Sequence, residues 1–187
     1  MKSNAELYLE HIEHVFGEGY TIRKVEAVDG GPPVHVFIYK DLPEEGMMTF
    51  ITYGLSEGDH PDWRVGKPEL ILTLETGDEA WGFAAAYLAA QLRGIKRFSY
   101  GDLFTWGEPI SGESGMSGFF VFAPAIIDRE RQKVELPVKP VNLVGLYPVY
   151  REEIDLIQTI GLEKFWHLDG FELYNVNRKN LALEAEI

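Results

Sequence analysis

Apolar positions in the first sixteen residues fall at Tyr8, Ile12, Val15 and Phe16, one stripe of a helix. Ser3 and Glu6 form the Ser-x-x-Glu capping box that starts such a helix, and Gly17 and Gly19 stop it. The pattern then changes period. "TIRKVEAV", "VHVFIYK", "MMTFITYGLS" and "ELILTLE" are short runs rich in β-branched and aromatic residues, separated by the turn signals "DGGPP", "DLPEEG" and "EGDHPDWRVGKP". Four strands in succession with short links favour antiparallel pairing.

A second capping box, Thr76 to Glu79, is expected to open a helix through "EAWGFAAAYLAAQLRG", with Trp81, Ala85, Leu88 and Leu92 inward and Gly94 at its end. Its alanines allow close approach to a sheet. Phe83 and Tyr87 lie roughly 100 degrees or more round the helix from that stripe, so they pack on something else or face a groove. Beyond it, "GFFVFAPA", "KVELPV" and "VNLVGLYPVY" read as strands, several apolar on both faces and therefore central. Pro148 stands near the start of a third helix, "REEIDLIQTI", with Ile154 and Ile157 inward and Gly161 as its stop, and "LEKFWHL" adds one or two turns. From Asn175 the chain turns polar, and residues 175–187 are expected to fray. Without repeats, low-complexity tracts or a dividing linker, residues 1–187 read as a single α+β domain.

Composition narrows the chemistry. A chain of 187 residues with 45% hydrophobic and 13% aromatic content builds its own core without a disulfide or metal. No cysteine is present, which removes disulfides, thiolate metal sites and a cysteine nucleophile. The start lacks the apolar core of a signal peptide and no window reaches the length of a membrane span, so a soluble, cytoplasmic protein is expected. The net charge of −13 argues against nucleic acid or an anionic membrane as partner. Residues 41–79 hold ten acids against two bases, Arg64 and Lys67, a net −8. These acids are either solvated loops or a surface for a basic partner, with Glu57, Asp59 and Asp62 as candidates.

The Ser/Gly-rich stretch "SGESGMSG" fails two catalytic patterns. From Gly112 a Gly-x-Ser-x-Gly elbow would use Ser114, but Met116 occupies the second glycine position. No Lys follows as in a phosphate loop, and a strand comes next. The stretch reads as a loop between an edge segment, "LFTWGEPI", and a core strand. His11 and His14 share a helix face, with only Glu10 as an obvious third metal ligand. His60 lies between Asp59 and Asp62 in a turn built of short polar residues. No metal site, cofactor motif or catalytic pair is visible.

Several of these segments together resemble the suppressor of fused family, specifically its N-terminal domain and its single-domain bacterial members. They are "TYGLSE" at 52–57, "PELILTL" at 68–74, the Trp81 helix with "AAAYLA", "GDLFTWGEPISGESGMSGFFVF" and "NLVGLYPVYREEIDLIQTIGLEKF", spanning most of residues 50–168. The resemblance implies an α+β sandwich, a mixed and mainly antiparallel sheet packed with three to four helices. It implies no catalytic activity and no cofactor, and function through binding another protein. In the animal members the domain clamps a short peptide of a Hedgehog-pathway transcription factor as an added strand, contacted by a Tyr on the helix and an Asp in a Gly-Asp turn. On this sequence those positions are Tyr87 and Asp102. The animal clamp uses a second domain, for which this chain has no room.

Bacterial members are thought of as immunity proteins that neutralise toxins, and an acidic surface suits a basic toxin such as a nuclease. Two other readings remain open at this level. One is a regulatory adaptor that binds an endogenous peptide through Tyr87 and Asp102; the other is a small-substrate enzyme using His60 with Asp59 or Asp62, or Ser114.

Overall fold

The structure, a computed structural model, describes residues 1–184. Helix α1 (Asn4–Phe16) starts at the Ser3 box: the Ser3 hydroxyl accepts from the Glu6 N–H, and the Glu6 carboxylate accepts from the Ser3 N–H. Its stripe buries Tyr8 and Ile12, and Tyr8 donates to the Thr52 carbonyl at 2.7 Å, which fastens the helix to the sheet. The chain continues through β1 (Tyr20–Val25), β2 (Val34–Lys40), β3 (Met47–Tyr53) and β4 (Lys67–Glu75), four antiparallel neighbours. After α2 (Ala80–Leu92) come β5 (Leu103–Thr105), β6 (Gly118–Phe122), β7 (Lys133–Val134) and β8 (Val141–Val149). The sheet order is β1-β2-β3-β4-β8-β6-β5, with β7 beside β8. Among the named strands of the described residues only β4 and β8 pair in parallel, so the sheet is mixed and mainly antiparallel, as expected. Helices α3 (Arg151–Ile160), α4 (Leu162–Trp166) and α5 (Leu181–Glu184) complete the described chain.

Alternation along the strands divides the core between the two faces. Phe50, Leu72, Phe119 and Leu146 point to the face covered by α2, where they meet Trp81 and Ala85. Their neighbours Ile51, Ile71, Phe120 and Tyr147 point to the other face, where α1 covers one half and α3 to α5 the other. Helix α2 sits close because Gly82 faces Phe50: a Cβ there would lie 2.3 Å from its ring.

Three local expectations are corrected. The Thr76–Glu79 box does not form; α2 has Glu79 as N-cap with no side-chain cap bond. The Thr76 hydroxyl is taken by Glu113 of the later loop, and Asp78 accepts from the Ala80 N–H at 2.9 Å instead. Pro148 lies within β8, opposite Phe119. The ladder between β4 and β8 ends at Gly145, so no donor is missing from it there.

The tail is docked rather than frayed from Asn175 to Leu181. Val176, Arg178 and Leu181 are buried, and Arg178 makes a forked pair with Glu153 at 2.5 and 2.8 Å. The guanidinium also lies over the rings of Tyr150, Phe165 and Phe171. The last three residues of the tail lie outside the described residues.

Candidate partner-binding edge

Strand β5 ends the sheet. The Val121 N–H donates to the Asp102 carbonyl at 2.9 Å and the Trp106 N–H to the Ser117 carbonyl at 2.7 Å, so the even-numbered residues bond inward to β6. By antiparallel alternation, the N–H and C=O groups of Leu103 and Thr105 face outward, without a strand partner among the described residues. This is a short free edge of the kind that accepts an added strand.

Asp102 stands at one end of that edge. Gly101 turns the chain at φ +90, and the Asp102 carboxylate accepts from the Ser99 N–H at 2.9 Å and from Arg97 at 3.1 Å. Its side chain is 18% exposed, so part of its capacity holds the turn. At the other end, Tyr87 of α2 is 47% exposed and meets Trp106 edge-on, ring centroids 5.4 Å apart. Phe83, Tyr87, Trp106 and Ile110 line a groove of about 390 Å³ that also reaches Val25 of β1, the opposite end strand.

Tyr87 and Asp102 therefore do not share a groove; they flank β5. Asp102 shares a second cleft of about 340 Å³ with His60, Asp62 and Arg97. Trp106 and the outward groups of Leu103 and Thr105 were not singled out from sequence. The period-two placement of Phe104 and Trp106 in "LFTW" is the signal that points to an edge strand with one aromatic face.

The acidic segment does not form one patch. Asp41, Glu44 and Glu45 sit at the β2–β3 turn, the end of the sheet where Met47 pairs with Glu75, whereas Glu57, Asp59 and Asp62 lie in the β3–β4 connection at the other end. Several acids are engaged. Asp59 pairs with Lys67 at 2.9 Å, which holds its carboxyl below the usual range, and Glu57 accepts from the Tyr53 hydroxyl at 2.6 Å. Glu79 pairs with Arg23 at 3.3 Å. Glu69 is fully buried and accepts from the Gly54 and Ser56 N–H groups and the Thr52 and Ser56 hydroxyls. Burial raises its pKa, partly offset by these bonds, and its role is to fold the "TYGLSE" turn.

The other candidates take structural positions. Ser114 donates to the Val176 carbonyl at 2.6 Å and accepts from the Met116 N–H. Ser111 donates to Asp78 at 2.5 Å, and Glu113 accepts from the Trp81 indole at 3.1 Å. The Ser/Gly-rich stretch is thus a loop stitched to the start of α2 and to the tail. His60 accepts the Asp62 N–H through Nδ1 at 3.1 Å, and His11 bonds the Arg131 carbonyl at 2.9 Å. Among the described residues there is no cluster of three metal-ligating side chains and no helix long and apolar enough to cross a membrane.

The family model for suppressor of fused protein matches residues 30–179. The chain belongs to the suppressor of fused family. This match extends beyond the segments that carried the resemblance. A suppressor of fused homologue from Neisseria gonorrhoeae has the same fold at TM-score 0.69 and 18% identity, covering 93% of this chain and 94% of the other. Drosophila Suppressor of Fused matches at TM-score 0.65 and 14% identity over 95% of this chain, which spans 50% of the Drosophila chain. A chain of the Sufu–Fu complex matches at TM-score 0.60 and 16% identity, covering 95% of this chain and 91% of its own. No curated protein sequence gives a significant match.

Proposed function

We propose that this chain is a non-catalytic protein-binding module that receives an extended segment of its partner along the outer edge of β5. The carrying observation is the outward main chain of Leu103 and Thr105, bracketed by Asp102 on one side and the Tyr87–Trp106 pair on the other. Main-chain bonds at such an edge give affinity, and the flanking side chains select sequence. That a similar fold occurs in the Sufu–Fu complex supports binding as the mode of action. Within that mode we assign it the role of an immunity protein, its partner a toxin domain whose active surface the complex blocks. The net charge of −13 favours a basic partner by speeding encounter.

The test is capture of partners from the native host with wild type and with Tyr87→Ala, read by mass spectrometry. A toxin domain held by wild type and lost by the variant, and whose toxicity wild type suppresses in cells, is the expected result. A captured partner that is not toxic, in cells that survive without this protein, would replace immunity with an adaptor role. Capture unaffected by the variant would move the interface away from this edge.

A further inference from the structure

On the sheet face opposite α2, a cleft of about 460 Å³ opens between β6, β8 and the α4 end of the molecule. Phe120, Phe122, Tyr147, Trp166, Phe171 and Leu173 form its walls, closed by the segment Ala123–Ala125. We propose that this cleft is a binding site for a small, uncharged, ring-bearing molecule, separate from the β5 edge.

The lining carries no Asp, Glu, Lys, Arg or His, in a chain where 25% of residues are charged. A charged ligand would lose its hydration there without a counter-charge, whereas an apolar guest gains by leaving water. The walls are also prearranged. The Phe120 and Tyr147 rings stack at 5.0 Å, and the Phe122 and Trp166 rings stand 4.5 Å apart at 59°. The Tyr147 ring folds back over Gly145, where a Cβ would come within 2.7 Å of it, and its hydroxyl donates to the Ala123 carbonyl at 2.6 Å. The phenol is thereby committed to the wall.

A partner's strand is a poor occupant. The floor strands are already paired on both sides, β6 between β8 and β5, and β8 between β4 and β6, so no main-chain edge is offered. Ring and other apolar contacts remain, which suit a small neutral molecule. The size falls within the range of ligand pockets, about 300–1,000 Å³.

The probe is N-phenyl-1-naphthylamine, neutral and bicyclic with one further ring, titrated into the full chain. Saturable one-site emission is expected, reduced at least about tenfold in Ala125→Phe and Leu173→Trp, which fill the cleft, and unchanged in Tyr87→Ala. In parallel, methyl spectra of the wild type should shift at Ala123, Ala125 and Leu173 and not at Ala84 or Ala85 of α2, a readout that needs no variant to fold. Non-saturable emission, equal affinity in well-folded filled variants, or methyl shifts centred on α2 would each overturn the proposal. So would loss of protein-partner capture on filling the cleft when the wild type does not bind the probe.

Discussion

Arg178 and Glu153 bury a full ion pair in the part of the chain whose polar composition reads as a loose tail. The pair is tolerated because its donors and acceptors are used: Glu153 also accepts from the Leu181 and Tyr150 N–H groups, and Arg178 donates to the Lys179 carbonyl. Removing one partner leaves the other charge buried, a loss of about 3–5 kcal/mol. Arg178→Met should therefore lower unfolding free energy by that much in a urea titration, and adding Glu153→Met should recover part of the loss. Asp29 gives the acid response. The Arg93 fork, at 2.6 and 2.8 Å, holds its carboxyl at about 2 against an ordinary 3.8. A depressed carboxylate stabilises the fold fully above its unfolded value and loses that contribution as pH falls through the folded one. Wild type should lose stability relative to Asp29→Asn between about pH 4 and pH 2, with the two curves parallel above about pH 5. Parallel curves throughout would remove this pair from the acid response.

At the scale of elements, close packing holds α2 and a polar turn holds the start of β5. Gly82 lets α2 approach Phe50, which is 1% exposed and has no room to move. Gly82→Ala should cost about 1–3 kcal/mol, against the gain of under about 1 kcal/mol that Ala gives over Gly in a helix free of contacts. The start of β5 is fixed by the Asp102 turn on Ser99, and the loop from β5 to β6 is tied to the tail by Ser114 on Val176. Ser114→Ala should cost about 1 kcal/mol in stability, with partner binding unchanged, since the hydroxyl serves the loop.

Helices α1 to α4 and the first four strands were legible because each carries a local signal: the Ser3 box, the Tyr8–Ile12 spacing, and β-branched runs between Gly and Pro turns. The start of α2 was not, because Thr76 satisfies a local box in sequence while Glu113, far along the chain, competes for the same hydroxyl. The docked tail was missed for the same kind of reason: Arg178 becomes a core residue only once Glu153 and three rings surround it. Tyr87 could be placed on an outer face of its helix from spacing alone. That it flanks a free edge depends on which strand ends the sheet, a long-range property absent from local pattern.

At the scale of the whole molecule, the sheet has two end strands, β1 and β5, and the groove along the outer face of α2 touches residues at both. Steering by the net charge of −13 should show as an association rate that falls with added salt while dissociation changes little. A rate indifferent to salt would remove charge from the recognition account. The edge itself is tested most directly by Thr105→Pro. This removes an outward N–H and places a ring on the free side of β5, without taking a bond from the ladder with β6. The measurement is partner affinity by calorimetry, alongside a denaturation curve for each protein. Binding weakened at least about tenfold, roughly 1.4 kcal/mol, with an unchanged denaturation midpoint, is the predicted result. Wild-type affinity in a folded Thr105→Pro protein would contradict strand addition at β5 and place the interface elsewhere.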